Sequence, residues 1–169
     1  ILDQKRIHAL PCIVKASEGF YLAGGTALAL QLGHRDSIDF DFFKEDSFDT
    51  RVLYEKVQKA CTDFSVTKFQ EETNTLGVLL NDEIQLSFFS YVYPLVRPTL
   101  AYEGLTLASV EDIAAMKLST ITSRATLKDY VDLYTILQTH TLDVLLKVGE
   151  QKFSSQNQTL TSIVNRLCD

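Results

Sequence analysis

An α+β fold, with a sheet-forming half followed by a helical tail, is what this sequence predicts, and three observations carry it. Up to Pro98 short apolar runs recur with the two-residue period of strands; beyond Pro98 apolar positions recur at helical spacing; and no repeat, low-complexity tract or flexible linker separates the two parts. The expected division is a sheet core with an N-terminal helix over residues 1–108 and a helical part over 109–169, packed on that core as a single compact unit.

The elements follow in order. Leu2, Ile7, Leu10, Ile13 and Val14 lie at roughly helical spacing up to about Ser17, with Pro11 expected to kink or interrupt that helix. "FYLAGG" reads as a short buried strand ending at a glycine turn, Thr26 to Leu32 as a helix, and Ile38 to Phe43 as a strand. Asp49 or Thr50 can cap a helix through about Cys61, with Val52, Leu53, Val57 and Ala60 on one side. Phe64 to Gln70, Leu76 to Leu80 and Ile84 to Tyr93 form a meander, with Asn81–Asp82 as the turn between the last two. Ser109 and Asp112 have capping-box spacing ahead of "IAAMKLSTI", Thr126 opens "LKDYVDLYTIL", and two more amphipathic pieces follow, split by "SSQNQT".

Composition excludes several classes. Among 169 residues, 46% are hydrophobic and 22% charged, which fits a folded domain and not a disordered chain. A net charge of −6 argues against a protein that coats nucleic acid through a general basic field, so any polyanion must be met locally. Cys12, Cys61 and Cys168 are far apart and read as buried thiols in a reducing compartment, supporting neither a disulfide framework nor a zinc site. His8, His34 and His140 are equally scattered. No apolar run is long enough to span a membrane and no signal-peptide pattern opens the chain, so a cytoplasmic location is expected.

The chemistry centres on "IDFDFF". Period two puts Asp39 and Asp41 on one face, about 7 Å apart along the strand, and Phe40 and Phe42 on the other. A bare pair of this kind also suits an edge strand with polar residues outward. Two such carboxylates repel unless a cation lies between them, and hard oxygen donors with room for phosphate oxygens suit Mg²⁺. Upstream, Gly24 and Gly25 permit a tight turn and close approach to a ligand, and Thr26 stands at the start of a helix whose free N–H groups favour an anion. Together the two segments form a phosphate-and-metal constellation.

Lys117 falls within the apolar stripe of its helix, either snorkelling to water or reaching into a cleft that holds phosphates. Asp129 lies toward the core side of the next helix near Leu133 and Ile136, while Lys128 and Asp132 are expected to face outward or to the edge; Asp129 also has capping-box spacing to Thr126. Arg35, Arg124 and Lys128 add local positive charge.

With "GGTALAL", then "HRDSIDFDFF", a core-facing Lys117 and "RATLKDYVDLY" in this order, the chain resembles the AbiEii/AbiGii nucleotidyltransferase toxin family, a branch of the DNA polymerase β-like superfamily, over about Phe20 to Leu137. The resemblance implies a mixed β-sheet flanked by helices. It also implies Mg²⁺ on Asp39 and Asp41, an NTP held by Gly24, Gly25, Thr26, Arg35 and Ser37, and Lys117 and Asp129 completing the site. It further implies a toxin of a toxin–antitoxin or phage-defence system with a cognate antitoxin, and transfer of NMP to a tRNA acceptor end or another macromolecule. One departure stands out: "IQLSFFSY" offers Ser87 where the superfamily commonly carries a third carboxylate. A kinase-like phosphotransferase acting on a protein hydroxyl and a non-catalytic nucleotide-binding module are the competing readings.

Overall fold

The alternating Phe and Asp residues of Phe40–Lys44 build the centre of the sheet, because the phenylalanines of one face are fully buried there. The computed structural model describes residues 1–121 and 123–154. Among them the elements run α1 Gln4–Ala16, β1 Tyr21–Ala23, α2 Gly24–Leu32, β2 Phe40–Lys44, α3 Thr50–Ala60, β3 Val66–Glu72, β4 Thr75–Leu80, β5 Ile84–Ser90, β6 Leu100–Tyr102, β7 Leu105–Leu107, α4 Val110–Ile121, α5 Leu127–Leu137 and α6 Leu142–Phe153. The strands make one mixed sheet in the order β3-β4-β5-β2-β1-β7-β6, with β2 parallel to β5 and antiparallel to β1. The last amphipathic piece expected from the sequence, and Cys168, lie outside the described residues.

The chain divides into two units. The first takes Ile1–Val92 and Ala101–Leu107, and the second takes Tyr93–Leu100 and the residues from Ala108 onward. In the first, Phe42 stacks on Phe88 of the neighbouring strand with ring centroids 5.2 Å apart, and Phe20 meets Phe88 edge-on at the same distance. α1 runs without a break through Pro11, which is exposed; Asp3 caps the helix by accepting from the Arg6 N–H at 2.9 Å. α3 buries Leu53 and Val57 but turns Val52 to solvent.

The β6–β7 hairpin was not legible beforehand. Its strands have three residues each, too few for alternation to register, and its signal is the Glu103–Gly104 turn, where both residues take positive φ, 47° and 88°.

Cys12 and Cys61 correct the expectation of separate thiols. Packing of α1 against α3 brings their Cα atoms to 5.0 Å, and the two are joined as a disulfide across 49 residues of sequence. A closed loop of that length constrains the unfolded chain by about 4 kcal/mol on the chain-entropy estimate. Urea unfolding with and without dithiothreitol is therefore expected to show a loss of that order on reduction.

In the second unit Asp112 does more than cap α4. It exchanges hydrogen bonds with Ser109 at 2.9 and 3.0 Å, accepts the backbone N–H groups of Val96 and Arg97 at 3.0 and 2.9 Å, and pairs with buried Lys152 at 3.1 Å. Lys152 also donates to the Pro94 carbonyl at 2.9 Å. Residues 93–100 are thereby tied to the helical unit. Burial alone pushes the Asp112 carboxyl up, but the Val96 and Arg97 donors and the Lys152 ammonium outweigh it and hold the group below the ordinary carboxylate range. No helix among the described residues is long and apolar enough to cross a membrane.

Candidate active site

Strand pairing brings the glycine turn to the aspartates. β1 lies antiparallel to β2 with Ala23 opposite Asp41, so the chain leaving β1 enters α2 alongside that carboxylate. Gly24 has φ +69°, and a Cβ there would stand 3.1 Å from Asp41 Oδ2. A Cβ on Gly25 would run into the Arg35 guanidinium, with Cζ at 3.3 Å, and would stand 3.3 Å from Ser37 Oγ. The two glycines thus leave room for one carboxylate and one guanidinium to close on the same turn.

α2 starts at Gly24, two residues before the expected Thr26, because only glycine takes the positive φ at that corner. The residue before it, Ala23, makes no side-chain cap to the first turn. Thr26 is only 1% exposed; its hydroxyl bonds to Ser37 Oγ at 2.8 Å and to the Asp39 carbonyl. It fastens the turn to the acidic segment.

Asp39 and Asp41 are both half-buried, opposite the buried Phe40 and Phe42. β2 begins only at Phe40, later than expected, because the preceding residues are held by side chains: Thr26 takes the Asp39 carbonyl, and the buried Arg6 donates from Nε to the Ile38 carbonyl at 2.7 Å. Ser87 on β5 is in register with Asp41, buried, and accepts from Gln85 Nε2 at 3.4 Å. Among the described residues no group of three or more His, Cys, Asp or Glu side chains could hold a metal.

The tightness at Gly25 gives a prediction. Gly25→Ala must displace Arg35, Ser37 or both, and is expected to raise the KM for NTP about tenfold with a smaller change in kcat. Initial-rate kinetics over an NTP series checks it.

In the second unit Lys117 is buried between two carboxylates, Asp129 at 3.0 Å and Asp132 at 2.8 Å. Asp132, expected to face outward or to the edge, is 0% exposed. The missed signal is the i, i+3 spacing, which puts both acids on one face of α5; a buried ammonium draws both inward. Asp129 serves two purposes, with Oδ1 on Lys117 and Oδ2 accepting from the Thr126 N–H at 3.0 Å and hydroxyl at 2.7 Å as the capping box of α5. Arg124 and Lys128 are exposed.

Burial pushes the Asp129 carboxyl up, but the Thr126 hydroxyl and the Lys117 ammonium more than offset this and hold it below the usual range. A depressed folded value means stability that is present above the unfolded carboxylate pKa and lost as pH falls through the folded one. Urea midpoints at stepped pH are expected to fall below about pH 4, and the Asp129→Asn variant to show a shallower fall.

The family model for the nucleotidyl transferase AbiEii toxin, a type IV toxin–antitoxin system, matches residues 12–167. The chain belongs to the AbiEii nucleotidyltransferase toxin family. Protein aq_aa25 of Aquifex aeolicus (strain VF5) is 37% identical over 160 residues, covering 90% of this chain and 76% of that protein. Among solved structures, the antibiotic-resistance factor ANT(2″)-Ia is similar with a TM-score of 0.66 at 14% identity, over 97% of this chain and 99% of that one. The Megavirus polyadenylate synthase is similar with a TM-score of 0.60 at 13% identity over 79% of this chain, which spans only 31% of the synthase. At such identities the likeness is one of fold, and the fold of this AbiEii-family enzyme is that of polymerase β-like nucleotidyltransferases.

Proposed function

We propose that this AbiEii-family nucleotidyltransferase joins the NMP of an NTP to a hydroxyl of RNA, with a tRNA acceptor end as the foremost candidate, and that it does so as the toxin of a toxin–antitoxin pair. The observation that carries the reading is the meeting of Gly24 with Asp41 and of Gly25 with Arg35 and Ser37, which joins an anion seat to a carboxylate pair. The donor set fits Mg²⁺: two half-buried carboxylates leave the remaining positions to phosphate oxygens and water, as that ion prefers. Bound by Asp39 and Asp41, it would supply charge neutralisation for the phosphates and the leaving pyrophosphate.

The chain's own residues then bind and orient. The uncapped first turn of α2 receives phosphate oxygens, Arg35 stands against that turn as a planar cation suited to them, and Thr26 and Ser37 hold the turn against the acidic segment. The acceptor oxygen forms a bond to the α-phosphorus, the bond from that phosphorus to the bridging oxygen breaks, and pyrophosphate leaves while the hydroxyl proton passes to a carboxylate or to solvent. Lys117 and Asp129 are assigned to the same reaction by the order of motifs. In this reading a cognate antitoxin restrains the activity in the cell.

Incubation with RNA and either α- or γ-labelled NTP tests the proposal. The α label is expected in the RNA; γ label alone, carried to a protein hydroxyl, would replace this reading with the kinase-like one. Ser87 opposite Asp41 favours one other reading, a nucleotide-binding module without turnover. Nucleotide binding with neither label transferred would establish it.

A further inference from the structure

α5 is apolar on two opposite sides. Its inner side carries Leu133 and Ile136, together with Asp129 and Asp132 turned to Lys117. Its outer side carries Leu127, 80% exposed, Tyr130, 53%, and Tyr134, 68%, with Val131 and Leu137 also exposed. Spacings of three, four and seven residues put these on a single stripe. The charges of the helix are sorted in the same way. Both of its acids are internal, so α5 shows solvent no carboxylate on this stripe, while exposed Lys128 flanks it and exposed Arg124 stands in the turn before it. In a chain of net charge −6 this is a local departure of sign.

We propose that this outer face of α5 binds the polynucleotide acceptor, as a single-stranded RNA segment whose bases stack on Tyr130 and Tyr134 and whose phosphates meet Lys128 and Arg124. The inference rests on the nucleotidyl-transfer reading and names where its acceptor is held. Aromatic rings with one wet edge and cations beside them suit a chain of bases and phosphates, because every base has a face to stack and the cations match the phosphate charge. Leu127 and Val131 supply aliphatic contact between them. A second copy suits the face less well, since a two-fold pairing of the stripe would bring the Lys128 and Arg124 flanks of both copies together.

The probe is a fluorescein-labelled single-stranded RNA with a free 3′-hydroxyl, followed by anisotropy with the full chain. Tyr130→Ala/Tyr134→Ala is expected to weaken binding roughly tenfold for each ring lost, and Tyr130→Phe/Tyr134→Phe to retain it. Lys128→Gln is expected to lower the salt slope by about 0.7. NTP binding, measured by calorimetry, is expected to be unchanged in all three.

Unchanged RNA affinity and unchanged KM for RNA in the double alanine variant, in an enzyme that still transfers the α label, would overturn the α5 surface and leave the transfer reading standing. Loss of affinity in that variant, with no α label transferred by wild type, would support the surface and sink the transfer reading. A dimer in sedimentation that the double alanine variant splits, with RNA affinity unaltered, would assign the face to copy–copy contact and overturn the proposal.

Discussion

Asp41→Asn is expected to lower nucleotidyl transfer by about a thousandfold or more, while the urea midpoint shifts little. The size follows from what the proposed reading removes: one of two carboxylates that would hold the cation offsetting phosphate charge, where a single electrostatic contact is worth about 10²–10³ in rate. The fold survives because the half-buried side chain points away from the Phe40–Phe42–Phe88 stack. Asp39→Asn is expected to behave in the same way, since Thr26 holds the backbone carbonyl of Asp39 and not its carboxylate. Steady-state rates and urea melts of both variants check this. Loss of activity together with loss of fold would show the acids to be structural.

Lys117→Met is expected to unfold the second unit more readily by about 3–5 kcal/mol, because Asp132 then stays buried without its cation. Removing both charges tests the cause. Lys117→Met/Asp132→Leu is expected to recover most of the lost stability, since a buried ion pair replaced by apolar side chains of similar size is often neutral. Urea unfolding of the single and double variants gives the comparison. A double variant as unstable as the single one would mean that Lys117 matters through packing of its stem and not through Asp132.

Much of the first unit was legible because its signals are local. The parity of "IDFDFF" assigns Asp41 and Phe42 to opposite faces whatever the neighbouring strands do, and Asn81–Asp82 marks a turn by the backbone those residues tolerate. Ser87 stood out only through the resemblance, as the place where a third carboxylate is expected; its register with Asp41 comes from the pairing of β2 with β5.

What sequence could not supply are contacts set by the other side of a fold. Asp132 lies inside because a lysine one helix away draws it in, and Asp112 captures residues 93–100 through backbone N–H groups that carry no sequence signature. Cys12 and Cys61 meet only because α1 packs on α3. The late start of β2 depends on Arg6, a residue 32 positions away from the carbonyl it holds.

In the proposed reading the glycine turn, the two carboxylates and the start of α2 would seat a nucleoside triphosphate; the family gives the reaction its class. The measurement that tests the union most directly is pyrophosphate release, followed with RNA and NTP in wild type and in Asp41→Asn. One pyrophosphate for each α-labelled nucleotide joined to RNA, lost in the variant, is the result predicted here. Release of inorganic phosphate in its place, or pyrophosphate release unaltered by Asp41→Asn, would contradict the account.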